Sequence, residues 1–193
     1  MRCFVRKKAA PSYQILVPPL SCDVCRLSPN EAHEYFLWFI SAVPNRIDYL
    51  LDQCFHHCAE RRLSPDSLTV VWQWFIDNVV FDFDKISKQY RLSTLSEYII
   101  RDIGMYFGEV CIANNHGLQW SYFTEPKNDF FVNAPYIKGY ISRATSFPMT
   151  FEPLHMVRIQ ALKLLPSNSP KGSPTDLLSL YQHWLQYVPG KNE

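Results

Sequence analysis

The stretch from Leu92 to Phe123, LSTLSEYIIRDIGMYFGEVCIANNHGLQWSYF, constrains the fold more than any other part of the chain. Thr94 and Glu97 have capping-box spacing, and Leu95, Tyr98, Ile99, Ile103, Tyr106 and Phe107 fall on one helical face. The spacing predicts a helix that Gly108 stops. Glu109 to Ala113 then reads as a β-prone run, Asn114-Asn115-His116-Gly117 as a turn tolerant of positive φ, and Leu118 to Phe123 as an aromatic-rich second strand. A helix running into a hairpin is therefore expected at the centre of the fold.

Around it the chain reads mostly as helix. Residues 1–27 look irregular or extended, with Tyr13 to Val17 as an edge strand ended by prolines. Ser28-Pro29 with Glu31 is a helix start, followed by Tyr35, Phe36, Trp38, Phe39 and Ile40; Pro44 should break this helix. A second helix from Asn45 carries Ile47, Leu50, Leu51, Cys54, Phe55 and Cys58. Ser64-Pro65-Asp66 opens a third through Leu68, Val71, Trp72, Phe75, Ile76 and Val79, and Val79 to Asp84 breaks the helical period, alternating as a strand would or simply ending the helix. Phe130 to Pro135 and Tyr136 to Ile141 can add a third strand, with Gly139 as a bulge, before a loop over 142–150. Glu152-Pro153 opens a helix, 166–174 is a connector, and Thr175 to Tyr187 is a last amphipathic helix. The expected architecture is one domain over 1–193. Its class is α+β: predominantly helical, with one small, mostly antiparallel sheet whose strands lie within about 108–141.

Composition narrows function by exclusion. With 19 basic against 18 acidic residues, the net charge of +1 gives no global argument for nucleic acid or an acidic membrane surface. Arg2, Arg6, Lys7 and Lys8 imitate a secretory leader, but Pro18-Pro19 interrupts the apolar run behind them, and no stretch reaches the roughly 20 apolar residues of a membrane helix. The chain is read as cytoplasmic. Cys22 and Cys25 form a C-x-x-C, and Cys54 and Cys58 lie one helical turn apart beside His56 and His57, so the four thiols together could bind zinc. A helical C-x-x-x-C is not the usual knuckle spacing. No cofactor is expected, and the cysteines are read as small apolar or loop residues.

For catalysis the sequence offers no G-x-S-x-G, phosphate-binding loop, dinucleotide fingerprint or HExxH. An enzyme would need a pocket where Glu109, His116 or the Cys54–Cys58 segment converge, and a small hydrolase of that kind is the alternative to a binding protein. Five Trp, 11 Tyr and 13 Phe exceed what closes a core of this size, so some are expected at an interface. Asp82 and Asp84 suit a basic partner.

Tyr106-Phe107-Gly108-Glu109-Val110, followed after a turn by Trp120, resembles an arrangement in small uncharacterised bacterial proteins, some of them encoded beside polymorphic toxins as immunity proteins. The resemblance covers residues 93–123. It implies no catalytic residues. It implies a protein that recognises one toxin, a nuclease among the candidates, and blocks it. Trp120, Tyr122, Glu109, Asp82 and Asp84 are the expected contacts with that partner.

Overall fold

The computed structural model describes residues 13–20, 22–55, 63–168 and 172–191. Within them run helices α1 (Pro29–Cys54) and α2 (Ser67–Asn78), the hairpin strands β1 (Phe81–Asp84) and β2 (Gln89–Leu92), and helix α3 (Thr94–Asn114). Strands β3 (Gln119–Ser121), β4 (Tyr136–Ile141) and β5 (Pro148–Phe151) and helices α4 (Pro153–Leu162) and α5 (Asp176–Leu185) complete the order. The class is α+β and predominantly helical, as expected, but the strands form two antiparallel sheets, β1-β2 and β3-β4-β5.

Helix α3 is the axis of the core. Ile99, Ile103, Tyr106, Phe107, Val110 and Cys111 are all fully buried, because α1 and α4 pack against it. Ser93 caps its start, accepting the Ser96 N–H, so Thr94 is the first helical residue rather than the cap. Gly108 does not stop the helix. Its interior cost of about 1 kcal/mol is small beside the burial of Val110 and Cys111 one turn further on, each completely enclosed. The expected strand from Glu109 to Ala113 is therefore helix, which runs to Asn114, and the expected turn follows over Asn115 to Gly117, with Gly117 at φ 84°.

Pro44 likewise fails to break α1. A proline inside a helix costs about 3 kcal/mol, whereas a buried aliphatic side chain contributes about 1.5–3 kcal/mol. Val43, Ile47, Leu50 and Leu51 flank Pro44 and are all buried, so one continuous helix replaces the two expected. A capping box between Ser28 and Glu31 fixes its start as predicted, the Glu31 carboxylate accepting the Ser28 N–H at 2.8 Å.

In the three-stranded sheet, Trp120 lies opposite Ile137 on β4, and Ile137 opposite Phe151 on β5. Gly139, with φ 111°, makes the expected bulge: the register shifts between Ile137 and Tyr140, which turns both inward. Phe130 to Pro135 forms turns instead of a strand, and part of the expected 142–150 loop is β5. Tyr13 to Val17 is not a strand either. That segment is held by side chains: the Tyr13 hydroxyl donates to Asp102 at 2.8 Å, and the Arg46 guanidinium donates to Asp102 and, at 2.8 Å, to the Gln14 carbonyl. Asp102 is completely buried.

Candidate functional site

The expected contact residues divide into two places. Trp120 leaves β3 and lies over Gly108 of α3, so close that a Cβ on Gly108 would stand 2.2 Å from its ring. The absence of a side chain at Gly108 is what admits the indole. The Trp120 Nε1–H donates to Glu109 Oε1 at 2.7 Å, and the ring meets Phe39 of α1 edge-on with centroids 5.0 Å apart. Gly108, Glu109 and Trp120 thus form one latch between α3 and β3, with a notch, an acceptor and an indole that fills one and donates to the other.

Beside the latch runs an open groove of about 360 Å³. Ile40, Val43, Pro44, Ile47, Asp48 and Leu51 form its wall along one face of α1, closed by Leu63, Glu109 and Trp120. Their spacing of three and four residues is that of a single helical stripe. Tyr122, two residues beyond Trp120, does not line the groove. Its hydroxyl meets His33 Nδ1 at 2.9 Å and its ring stacks on Phe36, with centroids 4.8 Å apart. His116 is exposed and does not line the groove with Glu109, so the two residues of the enzyme alternative do not converge there.

Asp82 and Asp84 lie elsewhere, on the β1-β2 hairpin. The root of this hairpin is tied to the start of α3: the Ser93 N–H donates to the Val80 carbonyl at 3.0 Å, and the Val80 N–H donates to Ser96 Oγ at 2.9 Å. Gly108 sits further along α3 by about 22 Å at 1.5 Å per residue. One face of the hairpin carries Phe81 opposite Leu92 and then Phe83 opposite Tyr90; the other carries Asp82 opposite Arg91. Leu92 is buried, but Phe83 is 50% exposed, Tyr90 43% and Ile86 at the tip 95%. An apolar stripe therefore runs out of the core into solvent, and the Phe83 and Tyr90 rings meet at 5.0 Å. Asp84 shapes the turn by accepting the N–H groups of Ile86 and Ser87, which hold its carboxyl below the ordinary range.

Phe83, Ile86 and Tyr90 were not expected as site residues. The signal was present in Phe81-x-Phe83 and Tyr90-x-Leu92, two alternating pairs, but the turn between them contains neither Gly nor Pro and so reads poorly as a hairpin.

Among the described residues no three His, Cys, Asp or Glu side chains gather to hold a metal ion. Cys22 and Cys25 are exposed. Cys54 packs against the core, where burial pushes its thiol up to about 12. Cys58, His56 and His57 lie outside the described residues. No helix among those described is long and apolar enough to cross a membrane. No family model, curated protein or solved structure matches the chain.

Proposed function

We propose that this chain is a protein-binding immunity protein that neutralises a cognate bacterial toxin by covering its active site or the path to it. The observation that carries the reading is the β1-β2 hairpin. Exposed Phe83, Ile86 and Tyr90 extend the apolar stripe from the core into solvent, with Asp82 and Asp84 on β1. Large apolar side chains displayed together on a protruding element, beside charges, have the anatomy of an interface centre and its rim. Phe83 and Ile86 supply the anchors, and Asp82 and Asp84, interleaved with Lys85, Lys88 and Arg91, supply rim charges of both signs that fix the partner's register. Trp120, Tyr122 and Glu109 hold α3, β3 and α1 in register and lie on a second part of the surface.

The test is co-purification from the native host followed by a growth assay. A single stoichiometric partner, encoded next to this chain, that arrests growth alone and is harmless with it supports the reading. Phe83→Ser with Ile86→Ser should then weaken the complex at least a hundredfold, because interface anchors each contribute about 2 kcal/mol or more. A partner whose toxicity is unchanged by this chain would sink the proposal.

A further inference from the structure

Residues 13–16 are held the way a peptide-binding protein holds a peptide. They form no helix or strand, yet three helices grip them. From α1, the Tyr49 hydroxyl oxygen accepts the Gln14 N–H at 2.6 Å, and the Arg46 guanidinium donates to the Gln14 carbonyl at 2.8 Å. From α3, the Arg101 guanidinium donates to the Leu16 carbonyl. These bonds hold backbone and are indifferent to side chain. Selectivity falls to one anchor: Tyr13 is buried, donates to Asp102 at 2.8 Å, and its ring meets Tyr49 at 5.0 Å and Trp74 of α2 at 6.1 Å. An extended backbone gripped at its polar groups, with a buried aromatic anchor, is the anatomy of a peptide site.

The connection behind this head has the form of a hinge. Leu20 and Val24 pack on Leu27, Ala32 and Tyr35, which ties the chain to the first turns of α1. Between the two anchorages lie only Val17, Pro18 and Pro19, and Val17 is 66% exposed. The chain bends at Pro19, where the Leu20 N–H donates to the Pro18 carbonyl at 2.9 Å. Such an i→i+2 bond needs a γ-turn, whereas a proline pair by itself prefers the extended polyproline form, and so does the residue before it. Straightening the hinge costs that one backbone bond, relieves the bend and carries Tyr13 away from its own cleft.

We infer that the cleft between α1, α2 and α3 is a peptide-recognition site that takes this segment from a second copy of the chain, the two copies exchanging residues 13–16 reciprocally. Tyr13 of one copy then donates to Asp102 of the other. The occupant's chemistry is given by what the cleft already holds, a tyrosine with an extended backbone behind it, and this chain carries that segment. Every contact of the head is kept in the exchanged pair, so a relaxed hinge is set against the entropy of association, and exchange of an identical element is a low-cost route to a dimer. The short connection gives the closed form a high effective concentration, so the pair gains as protein concentration rises. The inference stands apart from the toxin reading, whose contacts are on the β1-β2 hairpin.

Light scattering on a concentration series of the full chain should show monomer and dimer. Pro18→Gly with Pro19→Gly softens the hinge and should raise the dimer dissociation constant at least tenfold; Tyr13→Ala should abolish the dimer. Should Tyr13→Ala unfold the chain, Tyr13→Phe keeps the ring and should weaken the dimer at least tenfold, because the bond to buried Asp102 is lost. The cleft is tested separately with an acetylated peptide of residues 13–20. It should bind the Tyr13→Ala or Tyr13→Phe chain and raise its Tm, and it should leave the unchanged chain, whose own segment fills the site, as it was. A chain that stays monomeric at every concentration overturns the inference. So does a dimer that survives the Tyr13 changes, a dimer lost instead with Phe83→Ser and Ile86→Ser, or a peptide without effect on the Tyr13 variants.

Discussion

Replacing Gly108 with alanine sets two effects of opposite sign against each other inside α3. Alanine is the better helix former by about 1 kcal/mol, so a solvent-facing glycine here would gain stability on substitution. Its Cβ, however, would stand 2.2 Å from Trp120 Cζ2 and 2.4 Å from Cη2, against an ordinary carbon–carbon contact of about 3.5–4.0 Å. The indole must retreat by more than 1 Å. It is held on the other side by Phe39 and at its nitrogen by Glu109, so the retreat breaks a hydrogen bond to a charged group, about 1.5–3 kcal/mol, and loosens an aromatic contact, about 0.5–1.5 kcal/mol. After the helix gain is subtracted, Gly108→Ala should destabilise by about 1–3.5 kcal/mol, or roughly 2–14 °C in Tm for a chain of this length. In a Trp120→Ala background the clash is gone and the sign should reverse, Gly108→Ala becoming stabilising by about 1 kcal/mol. Urea denaturation of the four proteins measures this cycle. A destabilisation of equal size in both backgrounds would mean that Gly108 acts through its own backbone, and the latch would be refuted.

Burial raises the Glu152 carboxyl from 4.5 to about 7, against the pull of the His155 and Leu154 N–H groups at the start of α4. The folded state therefore favours the protonated acid, and stability is fully present below about pH 4.5 and lost as pH rises toward 7. The loss is about 3 kcal/mol at 1.36 kcal/mol per unit. Glu152→Gln should accordingly stabilise at pH 8 and be nearly neutral at pH 4.5; equal effects at both pH values in denaturation curves refute the assignment. Asp102→Ala leaves Arg46 buried without its carboxylate and should cost about 3–5 kcal/mol, whereas a loss under 1 kcal/mol in urea would show that solvent reaches Arg46. Alkylation by iodoacetamide at pH 8, read by peptide mass spectrometry, should mark exposed Cys22 and Cys25 at once and spare Cys54 and Cys111, whose thiols burial pushes up to about 12. Rapid labelling of Cys111 in the folded protein would contradict its complete enclosure.

Local signals served well where a single residue type dictates the backbone. Ser28-Pro29 with Glu31, Glu152-Pro153 and Gly139 each named a cap or a bulge that the structure contains. Gly108 and Pro44 predict helix ends by propensity alone, worth about 1 and 3 kcal/mol, and tertiary burial on either side is larger. What a sequence reading lacks is the partner. Gly108 is indispensable because of Trp120, and nothing in the spacing of the two announces that an indole will fill the notch. The same limit separates the expected contacts: the β1-β2 hairpin that carries Asp82 joins the start of α3, whereas Glu109 lies about 22 Å further along that helix. The residues around Tyr13 predict an edge strand, and its role as a buried donor to Asp102, far along the chain, leaves no local trace.

That last contact has a consequence for where the folding unit begins. Secondary structure suggests a boundary near Asp23, where a short 3-10 helix (Val24–Arg26) leads into α1, yet the ion pair between α1 and α3 is roofed by the Tyr13 ring, 5.6 Å from the guanidinium carbon of Arg46. The Gln14 and Leu16 carbonyls accept from Arg46 and Arg101. A segment with no regular structure of its own is thus the stopper of a polar hole in the middle of a hydrophobic core. Removing it would let water into the place where two helices cross, and a fragment that kept every helix and strand would still lack part of its interior.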